Sequence, residues 1–158
     1  MIGSLGLTPT LQRRQPVEAG RAFPRLVQTV LDCTDARELA EFYRQLLGFK
    51  YRPGDEPSDD GKPEQPDWLV LRDSNGANHL AFQLVAKLPQ ATWPEGPIPQ
   101  QLHLDLSVPT MDDFNAQHER ALALGATVLR DRSNDPQEPL RVYADPAGHP
   151  FCIFVSAH

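Results

Sequence analysis

Two stretches repeat apolar residues at helical spacing. Between Asp35 and Gly48 the apolar positions Leu39, Phe42, Tyr43, Leu46 and Leu47 follow the i, i+3, i+4, i+7, i+8 rule of a helix that buries one face. Asp35 is placed to accept a hydrogen bond from an unpaired first-turn amide, Glu38 completes a capping-box pattern, and Gly48 is a natural stop. A second helix is expected from Thr110 to Gly125, capped by Thr110 and burying Met111, Phe114, Ala121 and Leu122.

Alternation or β-rich runs mark eight strands, near 25–33, 49–52, 68–72, 79–85, 101–108, 127–130, 140–144 and 151–155. The order is strand, helix, three strands, and then the same again, an internal repeat of elements. Module one spans about 25–87 and module two about 101–158, joined by a linker at about 88–100. Residues 1–24 have no clear period and read as an N-terminal arm. Sixteen prolines, about twice the usual share, sharpen these divisions: four fall between Pro53 and Pro66, in a polar surface loop, and four between Pro89 and Pro99, in the linker.

Side chains alternate across a strand, so each strand divides into two faces. Leu102, Leu104, Leu106 and Val108 belong under the helices, and His103, Asp105 and Ser107 point the other way. The same division sets Val27, Thr29 and Leu31 against Gln28, Val30 and Asp32. It also sets Leu80, Phe82 and Leu84 against His79, Ala81, Gln83 and Val85. A polar second face usually meets water; if the sheet curls, it lines a cavity instead.

Composition narrows the function. The 158 residues carry 15 Lys+Arg against 21 Asp+Glu, a formal charge of −6, and the densest basic spot is Arg13-Arg14, so nucleic acid is not an expected partner. No run reaches the roughly 18–20 apolar residues of a membrane span. Cys33 and Cys152 form no disulfide framework and no zinc-ribbon spacing, and Met1–Leu7 lack the basic start of a secretory signal. A cytoplasmic protein is expected.

The runs Val30-Leu31-Asp32-Cys33-Thr34-Asp35, Ala40-Glu41-Phe42-Tyr43-Arg44-Gln45-Leu46-Leu47-Gly48-Phe49, Gln101 to Val108, and Asp145-Pro146-Ala147-Gly148-His149-Pro150-Phe151-Cys152 occur in this order. Together they resemble the vicinal oxygen chelate superfamily, which includes glyoxalase I, the bleomycin-resistance proteins and the extradiol dioxygenases, and most closely its glyoxalase-like branch. The resemblance spans about 25–156. It implies an α+β fold of two βαβββ modules forming a cupped mixed sheet, a homodimer, and four metal ligands on the concave face. By position these become Gln28, Gln83, His103 and Cys152, of which His103 alone matches the usual His/Glu pattern. Such a set suits zinc or iron better than magnesium.

The ligand pocket is then expected to draw on Gln28, Asp32, Gln83, His103, Asp105 and Cys152, with Asp105 and Cys152 as candidate catalytic groups. Bland readings stand beside these. His103 also serves as a hydrogen-bonded wall residue, Cys152 as a small buried hydrophobe, His118 as packing, and His149 as part of a turn. Trp68 and Trp93 are either stacking platforms or core. Two functions remain open: a divalent-metal lyase, isomerase or oxygenase, and a metal-free small-molecule (antibiotic-type) binding protein of the bleomycin-resistance kind, for which the acidic balance suggests a cationic ligand. A regulatory module without chemistry is a third.

Overall fold

The computed structural model describes residues 23–59 and 64–156. The arm expected at 1–24 lies almost wholly outside them. In chain order the elements are β1 (Thr29–Cys33), α1 (Ala36–Leu47), β2 (Lys50–Tyr51), β3 (Trp68–Arg72), β4 (Asn78–Leu84), β5 (Leu104–Val108), α2 (Met111–Ala123), β6 (Thr127–Arg132), β7 (Leu140–Ala144) and β8 (Pro150–Val155). The first five form a sheet of order β1-β4-β3-β2 with its helix, and the second five repeat the plan as β5-β8-β7-β6. In each module the first strand pairs parallel to the last and the remaining pairs are antiparallel. The fold is α+β, built from two βαβββ modules, each with its own four-stranded mixed sheet.

Helix α1 forms as its caps require. The Glu38 backbone N–H donates to the Asp35 carboxylate at 2.9 Å, and Gly48 ends the helix at φ 69°. That left-handed conformation costs a side-chain-bearing residue about 1–2 kcal/mol. Leu39, Phe42, Tyr43 and Leu46 are buried. Helix α2 is capped by Thr110, which accepts from the Asp113 N–H at 3.1 Å. Its buried face is narrower than expected: Phe114 and Ala121, two turns apart, are fully covered, whereas Met111 and Leu122 are exposed. Met111 occupies the first turn, and Leu122 points about 100° away from Ala121 around the axis.

Both long parallel strands begin later than the apolar pattern suggests. Pairing starts at Thr29↔Leu80 and Leu104↔Phe151, so Gln28 and His103 lie on the approaches to β1 and β5. One apolar cluster joins the modules. Phe42 and Tyr43 of α1 pack on Phe151 of β8 at ring separations of 5.8 and 6.3 Å, and Tyr143 stacks on Phe151 at 5.1 Å.

A polar contact crosses the same seam. The Tyr43 hydroxyl donates to the Asp145 carboxylate at 2.8 Å, and the Ala147 and His149 amides donate to its other oxygen at 2.9 Å each. The His149 imidazole then donates from Nε2 to the Asp32 carbonyl at 2.6 Å, tying this turn to β1. Gly148 lets the linker lie against the turn, because a Cβ there would fall 2.8 Å from Gln90 Cγ. The turn that feeds β8 is thus held from three directions.

Candidate functional site

Alternation along β5 and β8 builds the site. Phe151 and Ile153 enter the core, so Cys152 between them faces outward, as Asp105 does between the core-directed Leu104 and Leu106. The register Asp105↔Cys152 makes the two outward residues direct neighbours, and His103 stands two residues before Asp105 on the same side. The Cys152 thiol donates to Asp105 Oδ1 at 2.5 Å, and His103 Nε2 lies 3.4 Å from the same oxygen. The Gln100 amide approaches His103 Nδ1 at 3.4 Å. An amide N–H only donates, so Nδ1 accepts and Nε2 presents its proton to Asp105. Burial first, and then the hydrogen bond and negative charge of Asp105, push the Cys152 thiol up to about 12. It is a neutral thiol at physiological pH.

These three side chains form the floor of a cavity of about 270 Å³. Trp93 and Gln100 of the linker contribute to its wall, as do Arg130 and Arg132 of β6 and Glu138 from the loop before β7. The Arg130 guanidinium lies over the Trp93 ring, 5.0 Å from its centroid. Arg132 is paired with Asp135.

The family model described as a glyoxalase-like domain matches residues 28–154. The chain belongs to the glyoxalase-like family. Its place in the vicinal oxygen chelate superfamily agrees with solved structures of the same fold. One is a glyoxalase/bleomycin resistance protein/dioxygenase family enzyme from Burkholderia phytofirmans PsJN (18% identity, TM-score 0.58, covering 82% of this chain and 96% of that one). Another is a fosfomycin resistance protein from Mesorhizobium loti (14%, 0.57, covering 84% and 91%). A third is a lactoylglutathione lyase from Agrobacterium tumefaciens (14%, 0.53, covering 86% and 96%). No curated protein matches the chain. At these identities the likeness concerns the fold, and one fold hosts many chemistries.

In this glyoxalase-like protein the six residues expected to line one pocket occupy three places. His103, Asp105 and Cys152 come together. Asp32 and Gln83, neighbours through the register Asp32↔Gln83, line a second cavity of about 440 Å³ between β1, the linker and the 147–150 turn. Gln28 lines neither cavity among the described residues, and its side-chain oxygen accepts from Asn78 at 3.0 Å. Gln100 borders both cavities.

Of the remaining candidates, His118 is half-buried and places Nδ1 3.0 Å from the Tyr143 hydroxyl, a packing role. Trp68 stands on the exposed face of β3 beside Gln83, outside the core. Arg130, Arg132, Gln100 and Glu138 were not anticipated. The alternation of Arg130 and Arg132 along β6 was the available signal for the two arginines, while a bulge between Val128 and Arg130 turns Val128 to the other face, opposite Tyr143.

The donor set suits a divalent cation. One nitrogen, one carboxylate oxygen and one sulfur lie within 4.8 Å of one another. A carboxylate and a thiolate together neutralise a 2+ ion, and the sulfur and imidazole favour zinc or iron over magnesium. Three protein donors facing a cavity also leave a coordination position for a substrate or water, the usual plan of a catalytic site.

Proposed function

We propose that this chain is a divalent-metal enzyme, a lyase, isomerase or oxygenase, acting on a small molecule in the cavity above His103, Asp105 and Cys152. The observation that carries the reading is the convergence of those three chemically distinct donors at a cavity floor. A bound zinc or iron would act there as a Lewis acid on a substrate oxygen. Each residue has a separate part. His103 binds through Nε2 once its proton has moved to Nδ1 and the Gln100 amide has turned its oxygen toward that nitrogen. Cys152 gives up its proton when the metal is taken up, which couples uptake to pH. Glu138 lines the same cavity without belonging to the donor set. It is therefore the carboxylate free to take a substrate proton, a role that typically contributes 10²–10⁴-fold.

Metal content decides the matter. Purified protein is stripped with a chelator, reloaded with zinc or iron, and measured by elemental mass spectrometry while thermal unfolding is followed. The expected result is about one ion per chain and, at a hundredfold excess over Kd, about 2.7 kcal/mol of added stability. His103→Ala should lose the ion and keep the fold. Equal uptake by parent and His103→Ala would overturn the ligand assignment.

One observation favours a second reading, a metal-free small-molecule binder. The thiol, carboxylate and imidazole already satisfy one another, and the thiol holds its proton to about 12. No ion uptake in the same experiment would select this reading. A homodimer, suggested by the family resemblance, and a cytoplasmic location, expected from the cysteine usage, belong to the proposal as well, and sedimentation velocity tests the dimer.

A further inference from the structure

We propose that the cavity above the donor cluster selects a small carboxylate, and that Arg130 is the residue that anchors it. This rests on the reading of that cavity as the substrate site. Arg130 projects from β6 over the face of Trp93, 5.0 Å from the ring centroid. Stacking of this kind restrains the guanidinium plane while leaving its N–H edge open to a partner. Arg132, one alternation further along the strand, is engaged by Asp135. Arg141, the buried arginine of the same sheet, lies on the opposite face, where it is bonded to Asp131 and stacked on Phe114. Among the described residues, Arg130 has no carboxylate within ion-pair distance.

The charge balance of the wall gives the sign and size of the ligand. Arg130 and Arg132 face Asp105 and Glu138, so the cavity without metal is formally neutral. Within that balance Arg132 is engaged by Asp135, and Arg130 has no carboxylate partner among the described residues, so a monoanion matches it. The overall charge of −6 points toward cationic ligands, but a net charge describes the whole surface, whereas these side chains describe the cavity. A cavity of about 270 Å³ limits the ligand to a compact molecule. The planar guanidinium fork matches a carboxylate in bidentate fashion. An acid held this way extends from Arg130 toward the donor cluster on the floor of the same cavity.

Trp93 reports on the event, because a ligand on Arg130 changes the surroundings of the indole it covers. The chain has two tryptophans, and Trp68→Phe leaves Trp93 as the sole tryptophan, excited selectively over the tyrosines. In that background the protein, stripped of metal or loaded with zinc, is titrated with glycolate and with its neutral counterpart glycolamide while emission and zinc content are followed. The expected result is a saturable change with glycolate and none with glycolamide, stronger in the zinc-loaded protein. Arg130→Gln should weaken glycolate about tenfold or more and hold zinc as the parent does. Inorganic phosphate should compete more weakly than glycolate.

Equal binding of glycolate and glycolamide, or unchanged glycolate binding in Arg130→Gln, overturns the assignment. Absence of zinc uptake with Arg130-dependent glycolate binding intact overturns the metal reading alone and supports the anion site. Circular dichroism confirms that Arg130→Gln is folded, as expected for an exposed position on β6.

Discussion

Removing one oxygen atom tests how the two modules are held together. Tyr43 is fully buried and Asp145 is 4% exposed, and their 2.8 Å hydrogen bond joins α1 of the first module to the turn that feeds β8 of the second. Among the described residues the Tyr43 hydroxyl is the donor to Asp145 Oδ2, while the Ala147 and His149 amides both serve Oδ1. Tyr43→Phe therefore leaves a buried carboxylate oxygen without its donor, at a cost of about 2 kcal/mol, or a Tm lower by about 4–8 °C for a chain of this size.

The pH dependence carries the sharper information. Burial raises the Asp145 carboxyl above the ordinary range, against the lowering influence of His149, the turn amides and the Tyr43 hydroxyl. A raised folded-state pKa means that folding favours the protonated acid. The resulting stabilisation is present below the unfolded value and is lost as pH rises through the folded one. The Tyr43 hydroxyl acts in the opposite sense, because it supports the ionised carboxylate. Its contribution is full above the folded pKa and shrinks as pH falls through it. Thermal unfolding of parent and Tyr43→Phe should thus show a gap that narrows as pH falls from neutral into the acid range where the raised Asp145 carboxyl takes up its proton. A Tm difference under about 1 °C at neutral pH, or one that does not narrow in acid, would refute the reasoning.

Two further outcomes follow from the same geometry. Burial pushes both Cys33 and Cys152 up to about 12, so in metal-free protein near pH 8 both thiols should react with a disulfide reagent on the order of 10³-fold more slowly than in the denatured chain. The single Cys→Ser variants assign each rate, and a thiol that reacts at the denatured rate would contradict its placement. Gly48→Ala meets no atom within 4 Å of the new Cβ but must hold φ 69°. Its expected penalty is about 1–2 kcal/mol of pure backbone strain, seen as a lower urea midpoint with an unchanged slope.

What was legible beforehand follows physical range. The caps at Asp35 and Thr110, the stop at Gly48 and the opposite faces of Leu104/Leu106 and His103/Asp105 depend on residues a few positions apart, and local pattern carries them. The narrow face of α2 was harder to read, because coverage of Met111 and Leu122 depends on where the sheet ends. Separation of Asp32 and Gln83 from His103 and Cys152 depends on how two sheets and a proline-rich linker lie in space. No spacing encodes that. Arg130 was overlooked for the same reason: its importance comes from Trp93, 37 positions earlier in the numbering, brought beside it by the linker.

The repeat supplies an internal control on where the chemistry sits. Counted from the first pair of each parallel ladder, or back from the helix caps Asp35 and Thr110, Val30 corresponds to Asp105 and its partner Ala81 to Cys152. Two residues earlier on the same face stand Gln28 and His103. The first module thus has an amide in place of the imidazole, an isopropyl group in place of the carboxylate and a methyl group in place of the thiol. A neutral amide so placed supplies one donor, too few to hold a divalent ion against water. Asp32, two residues beyond Val30, faces the larger cavity, whose wall includes Leu88, Ile98 and Leu102. The two modules share a backbone plan and a conserved strand register, yet the outward residues give one face a coordinating character and the other a mainly apolar one. Backbone geometry alone therefore cannot be the source of the donor cluster, since both modules have it; the cluster depends on the side chains of His103, Asp105 and Cys152.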